Sequence, residues 1–288
     1  MTSATDPSAG AGPVLRQLIV TRPAREAADW VSRLQAAGWP ALALPLIRID
    51  EPRSASARTP LDRCRAQWAD YDALMFVSGE AVRHFFSAPA IPPVPPANRT
   101  RFWAPGPGTA RALAAALTAL GLAPDRIDVP PADAGQFDSE SLWPVVAPQL
   151  RSGTRVLIVR GASVGDASQP AVTGGTGRDW LIRQCEQAGA SVRSVAAYER
   201  LAPLWGPAEQ AIAQQGQAPG SVWLFSSSEA LDHLLLAEPR ACWGGAQALV
   251  THPRIATRAR EAGFGQVLQT RPALDDVVRT LESRWSHP

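Results

Sequence analysis

The residues that could do chemistry in this chain sit at the ends of short apolar runs. Arg22 follows LIV at 18–20, Ser78 follows LMFV at 74–77, and Gly106 and Thr109 follow FWA at 102–104. Arg160 and Gly161 follow LIV at 157–159, Ser227 and Ser228 follow WLFS at 223–226, and Pro253 and Arg254 follow LVTH at 249–252. Read as a set, these are hydroxyls, arginines and glycines, many directly before a helical pattern. Helix N-termini present unpaired N–H groups and a partial positive charge, so they favour anions. The chemistry implied is recognition of an anionic ligand, largely by main chain and hydroxyls. Each residue also has a plainer reading. Ser78, Ser227 and Thr109 read equally as helix N-caps. Arg22 and Arg160 can pair with a neighbouring carboxylate, and Arg178 and Arg254 can be solvated helix faces. Tyr198, one of two tyrosines, interrupts a small-residue run. Alone it reads as a packed ring with a satisfied hydroxyl.

Other chemistries are excluded by what is missing. All 28 basic residues are arginine, so Schiff-base lysine chemistry and a phosphate-loop lysine are out. The three cysteines and four histidines show no metal-ligand spacing, so no metal is expected. Gly174-Gly175-Thr176-Gly177 does not make a dinucleotide fingerprint, no G-x-S-x-G is present, and no cofactor is expected. The net charge of +2 indicates no nucleic-acid stripe, and no apolar run is long enough to span a membrane. The sparse, odd cysteine count argues for a reducing compartment, here the cytoplasm. The first fourteen residues read as a polar tail rather than a signal peptide.

The elements that must hold these residues are written twice. LMFVSGEAVRHFF (74–86) and WLFSSSEALDHLL (223–235) are near copies, 149 positions apart from Phe76 to Phe225. LIVTRP (18–23) and LIVRG (157–161) are a second pair, each followed by a helical pattern with a glycine stop at Gly38 or Gly189. FWAPGPGTARALAAALTALG (102–121) and LVTHPRIATRAREAGF (249–264) are a third. Strand-like segments at 42–49 (LALPLIRI) and 192–200 (VRSVAAYER) are a fourth, while 51–59 and 202–210 read as connections. Short non-alternating apolar runs that alternate with helices indicate buried parallel strands. The expected class is therefore α/β, with two similar parallel-sheet domains. Ligands in such sheets bind beyond the carboxyl ends of the strands.

LIVTRP, F-x-S-x-x-A-V, A-x-G-x-x-T-A (Ala104, Gly106, Thr109, Ala110), FDSESL (137–142), LIVRG…GRDWL…YER and FSSSEAL stand in the order found in uroporphyrinogen-III synthases. The chain resembles that family from about residue 16 to residue 284. The resemblance implies two α/β domains joined by a two-stranded linker, with substrate in the cleft between them. Domain one would be 1–46 plus 202–288, domain two 50–195, and the linker strands about 44–50 and 195–201. It implies closure of hydroxymethylbilane to uroporphyrinogen III, with inversion of ring D and loss of water, by a monomer without metal or cofactor. A transient contact with hydroxymethylbilane synthase is implied too. Tyr198 would then assist departure of the hydroxyl. Arg22, Ser78, Gly106, Thr109, Arg160, Gly161, Arg178, Ser227, Ser228, Pro253 and Arg254 would contact the substrate. The sequence departs from the family pattern at Ile255, at Val77 and Gly79, and in a longer loop before Gly177. From the residues alone, a two-domain binding or sensor protein for an acidic small molecule remains the alternative.

Overall fold

In a computed structural model, residues 14–87, 91–95, 97–131, 138–163 and 177–286 are described, with backbone only for 177–179. The 162–176 loop from Val164 onward, the start of FDSESL, the N-terminal tail and the end of WSHP lie outside the described residues. The chain divides into two compact units. One comprises the residues up to Arg48 and from Leu201 onward; the other is Ile49–Arg200.

The first unit runs β1 (Gln17–Val20), α1 (Ala24–Ala36) and β2 (Ala41–Ala43). It resumes after the second unit with α7 (Pro207–Gln215), β9 (Ser221–Phe225), α8 (Ser228–Ala237), β10 (Gln247–Val250), α9 (Pro253–Glu261), β11 (Gln266–Gln269) and α10 (Leu274–Arg284). Its sheet has the order β11-β10-β9-β1-β2, all parallel. The second unit runs β3 (Arg48–Asp50), α2 (Ala55–Ala66), β4 (Ala73–Phe76), α3 (Gly79–Phe86), β5 (Arg101–Trp103), α4 (Pro107–Ala119) and β6 (Ile127–Asp128). It continues with α5 (Ser139–Val146), β7 (Arg155–Ser163), α6 (Gly177–Gln187) and β8 (Ser191–Leu201). Its sheet has the order β3-β8-β7-β4-β5-β6.

Set side by side, the two sheets are one plan with the chain cut at different points. β6-β5-β4-β7-β8 of the second unit corresponds in order to β11-β10-β9-β1-β2 of the first. The repeated phrases fall on matching elements: LMFV and WLF on β4 and β9, and the two LIV runs on β7 and β1.

The central strands of both sheets are covered on each face, which is why β4 and β9 are buried at every residue. Along β4, Leu74 and Phe76 join one core with Trp68, Phe85, Phe102 and Leu113, while Ala73 and Met75 join another with Leu142, Val146 and Leu181. Along β9, Val222 and Leu224 face Leu34, Val277 and Leu281. Trp223 and Phe225 face the other way, into a group of rings that includes Trp243 and Phe264. The glycine stops behave as expected. Gly38 and Gly189 both have φ 85°, Gly121 has φ 71° and Gly263 φ 88°, a left-handed conformation that disfavours side chains.

The structure corrects several expectations. The segment 51–59 is not a connection throughout, because α2 starts within it, capped by Ser54, whose hydroxyl accepts from Ala57 N at 3.2 Å. Likewise α7 starts within 202–210. LALPLIRI is not one strand. It breaks at Leu44–Ile47, around Pro45, into β2 and β3. Trp30 and Trp180 stand at matching places in ADWVSRLQAAG (28–38) and RDWLIRQCEQAG (178–189), but they differ. Trp30 is buried under Arg22, whereas Trp180 is half-buried against Trp143. Among the described residues no helix is long and apolar enough to cross a membrane.

Candidate functional site

In a parallel sheet every strand points its carboxyl end the same way, so the residues just beyond the strands share one edge. In the second unit that edge gathers Val77–Ser78 after β4, Ala104–Gly106 after β5, and the far end of β7. Ser78 is the N-cap of α3 in extended conformation, and its hydroxyl accepts from Ala81 N at 3.2 Å. The same hydroxyl lies 3.2 Å from the phenol oxygen of Tyr198 on β8. These two residues are 120 positions apart, and parallel pairing of β8 with β7 and of β7 with β4 brings them together.

Tyr198 points toward the core because of a β-bulge. β7 and β8 pair Arg160 with Ala196 but Gly161 with Tyr198, so Ala197 is an extra residue on β8. An extra residue shifts every later side chain of a strand to the opposite face. Val195 and Ala197 are buried in the ordinary alternation, and Tyr198 is buried directly after them, at 5% exposure. Its ring lies against Gly161. A Cβ placed on Gly161 would come within 2.4 Å of the ring and 2.8 Å of the hydroxyl oxygen. The imidazole of His84 flanks the ring at 5.7 Å between centroids, and His84 Nε2 is 3.7 Å from Glu80 Oε2. Glu80 is itself buried and hydrogen-bonded to Arg83 through both carboxylate oxygens.

The remaining residues proposed from the sequence in this unit fall into different settings. Gly106, not Thr109, is the N-cap of α4; Thr109 is the third helical residue and is buried at 7% exposure. Arg160 is half-buried and donates from Nε to Ser194 Oγ at 3.1 Å. Arg178 is in α6, and its side chain lies outside the described residues.

In the first unit the equivalent edge carries Thr21–Pro23, Ser226–Ser228 and Thr251–Pro253. Ser227 is the N-cap of α8 with no hydrogen bond from its side chain to the helix, so it lacks the bond Ser78 makes. Ser228 comes next, half-buried, and its Oγ is buried without a hydrogen-bond partner. Pro253 is the first residue of α9 behind the His252 cap, which accepts from Arg254 N at 3.1 Å, and Arg254 is exposed. Arg22 is engaged inside its own unit. Its guanidinium pairs with Glu26 at 3.0 Å, donates to Pro272 O at 3.3 Å and lies 3.9 Å over the Trp30 ring. Burial lowers its pKa, with Glu26 acting in the other direction.

Sequence reasoning passed over His84. The signal was there, because His84 and His233 occupy the same place in the repeated phrase, 149 positions apart. In the first unit His233 Nδ1 is bonded to Leu46 O at 2.7 Å; in the second, His84 lies against Tyr198. Among the described residues no group of three or more His, Cys, Asp and Glu is placed to hold a metal ion.

What this arrangement can do is limited and specific. It offers a buried phenol with a serine at its hydroxyl, beside helix N-termini that favour anions. Comparison with known proteins narrows the reading. The family model for uroporphyrinogen-III synthase HemD matches residues 28–279. The uroporphyrinogen-III synthetase of Helicobacter pylori is 15% identical, with 93% of this chain and 99% of that one covered at a TM-score of 0.54. A mutant uroporphyrinogen III synthase of the extreme thermophile Thermus thermophilus aligns over 93% of this chain and 98% of that one, with 16% identity and a TM-score of 0.49. The Helicobacter likeness extends to the fold. A family match that starts inside α1 and ends inside α10 covers the whole of the second unit and most of the first, and the chain therefore belongs to the uroporphyrinogen-III synthase family.

Proposed function

We propose that the chain is a uroporphyrinogen-III synthase, a lyase that converts hydroxymethylbilane to uroporphyrinogen III. Support comes from the family match over residues 28–279, and the observation that carries the site is the Ser78–Tyr198 hydroxyl pair at 3.2 Å.

The overall change is loss of one water with formation of one carbon–carbon bond. It involves no net oxidation or reduction, so it calls for no electron carrier. The hydroxymethyl carbon of the bilane loses hydroxide to give an azafulvene. The substituted α-carbon of ring D attacks it, forming a spiro pyrrolenine. That intermediate opens and recloses with ring D inverted, and a proton leaves the ring. Tyr198 donates a hydrogen bond to the departing oxygen, and Ser78, beside it, orients the phenol. The substrate carries eight carboxylates. Gly106, Pro253 and Ser227 mark helix N-termini that favour anions. Thr109, Ser228 and the arginines Arg22, Arg160, Arg178 and Arg254 are the further contacts proposed from the sequence. Arg22 would have to leave Glu26 to reach a ligand. Hydroxymethylbilane synthase, which makes the unstable substrate, is the partner expected to meet this protein transiently.

The test is to incubate hydroxymethylbilane with the protein, oxidise the products and separate the porphyrin isomers. Spontaneous closure gives isomer I, so protein-dependent isomer III is expected. Tyr198→Phe should lower kcat by about 10-fold or more, and Ser78→Ala by less. Isomer I unchanged from the protein-free control, with tight bilane binding, would leave a binding protein instead. Equal small effects of the two substitutions would remove the role given to Tyr198.

A further inference from the structure

We propose that Gly161 is a positioning residue for Tyr198 rather than a substrate contact: the absent side chain at 161 is the space in which the phenol sits. This rests on the reading of Tyr198 as the hydroxyl that assists departure.

Three observations converge. The first is steric. A Cβ on Gly161 would stand 2.4 Å from both Cε2 and Cζ of Tyr198. Real Cβ atoms do not approach so closely, and here the neighbour is a buried aromatic ring, not the end of a flexible chain. The backbone of Gly161 has no positive φ, so conformational freedom does not explain the glycine. The second is the bulge. Without Ala197 as an extra residue, the register Arg160↔Ala196 would continue as Gly161↔Ala197, and Tyr198 would stand opposite Ala162. The bulge brings the one aromatic side chain of β8 opposite the one glycine of β7. The third is internal to the chain. β7 and β1 carry the same LIV, and two residues later the second unit has Gly161 where the first has Arg22. In the first unit that position supports a guanidinium stacked over Trp30. The same plan therefore accepts a large side chain at that point, and the second unit lacks one where Tyr198 lies. Gly161, the bulge and Ser78 together fix the ring, its face and its hydroxyl.

The test is a double-mutant cycle with a spectroscopic arm. Gly161→Ala should lower kcat for isomer III formation at least as far as Tyr198→Phe does, with KM changed by less than about 3-fold. In the Tyr198→Phe background, where there is no hydroxyl to misplace, Gly161→Ala should cost less than about 2-fold more. Because the chain has two tyrosines, ring-13C-labelled tyrosine gives two sets of signals. Gly161→Ala should move the set assigned to Tyr198 and leave that of Tyr71 in place. If Gly161→Ala alone fails to fold, adding Tyr198→Ala must restore folding, since the ring is the obstacle. Additive losses, unmoved Tyr198 signals, or no restoration by Tyr198→Ala would overturn the proposal. If the unmutated protein forms no isomer III, the functional reading fails, and the labelled-tyrosine signals alone decide whether Gly161 seats the ring.

Discussion

Replacing Arg65 by methionine should destabilise the second unit by about 2–4 kcal/mol. Arg65 lies in α2, is 8% exposed, and reaches the C-terminal turn of α3. Its Nε donates to Phe85 O at 3.1 Å, its Nη2 donates to His84 O, and its Nη1 meets Asp62 Oδ1 at 3.2 Å. The last carbonyls of a helix have no partner within it, and they carry the negative end of its dipole. Each hydrogen bond from a charged group contributes about 1.5–3 kcal/mol, so losing two costs about 3–6 kcal/mol. Methionine preserves the apolar stem and removes a charge that was costly to bury, which returns a part of this, of the order of 1–2 kcal/mol. The two units need not unfold together, so the suitable assay is hydrogen exchange read by mass spectrometry on α3 and β4 peptides across a urea series. With m near 2 kcal/mol/M, the midpoint for those peptides should fall by about 1–2 M, while β9 and β10 peptides of the first unit should keep theirs. A shift below about 0.5 M at unchanged m would refute the reasoning, because the two carbonyls would then be satisfied without the arginine.

Two more expectations are independent of the function. Gly189→Ala should cost more than Gly263→Ala. Both have φ near +85°, but a Cβ at 189 meets the Ser152 backbone at 3.2 Å while one at 263 meets nothing within 4 Å. About 1 kcal/mol is expected at 263 and clearly more at 189, measured by thermal unfolding; equal losses would show that strain alone decides. A thiol reagent at pH 8 should modify Cys242 quickly and Cys64 and Cys185 only on unfolding. Cys242 is exposed and the other two are buried, and burial, with Glu186 adding to it, pushes the Cys185 thiol up to about 11. Rapid reaction of more than one thiol in the native protein would contradict the packing described.

The strands that carry the chemistry were legible because buried parallel strands read as short apolar runs, and LIV, LMFV and WLF did so twice. The helix stops were legible because Gly38, Gly121, Gly189 and Gly263 all sit at left-handed positions. Other features were hidden for physical reasons. α2 contains Pro60 and a mostly polar face, which argues against a helix until α3 is there to pack on. The break at Leu44–Ile47 leaves two strands of three residues each, below what periodicity resolves. Within the site, Ser78 and Tyr198 were each picked out, but their juxtaposition depends on sheet order, and the facing of Tyr198 depends on one extra residue in β8. Nor could composition reveal that Arg22 is engaged by Glu26, Pro272 and Trp30.

The order of the first sheet has a bearing on how the chain is made. β1 lies inside that sheet between β2 and β9, and Leu18 pairs with Val222. About 200 residues of intervening chain must be translated before that pairing can form, which at roughly 5–20 residues per second takes about 10–40 s. The inserted segment Ile49–Arg200 is contiguous and leaves the ribosome whole in that interval. The older end of the nascent polypeptide therefore waits with an apolar ribbon unpaired on one edge, and the younger middle can mature before it.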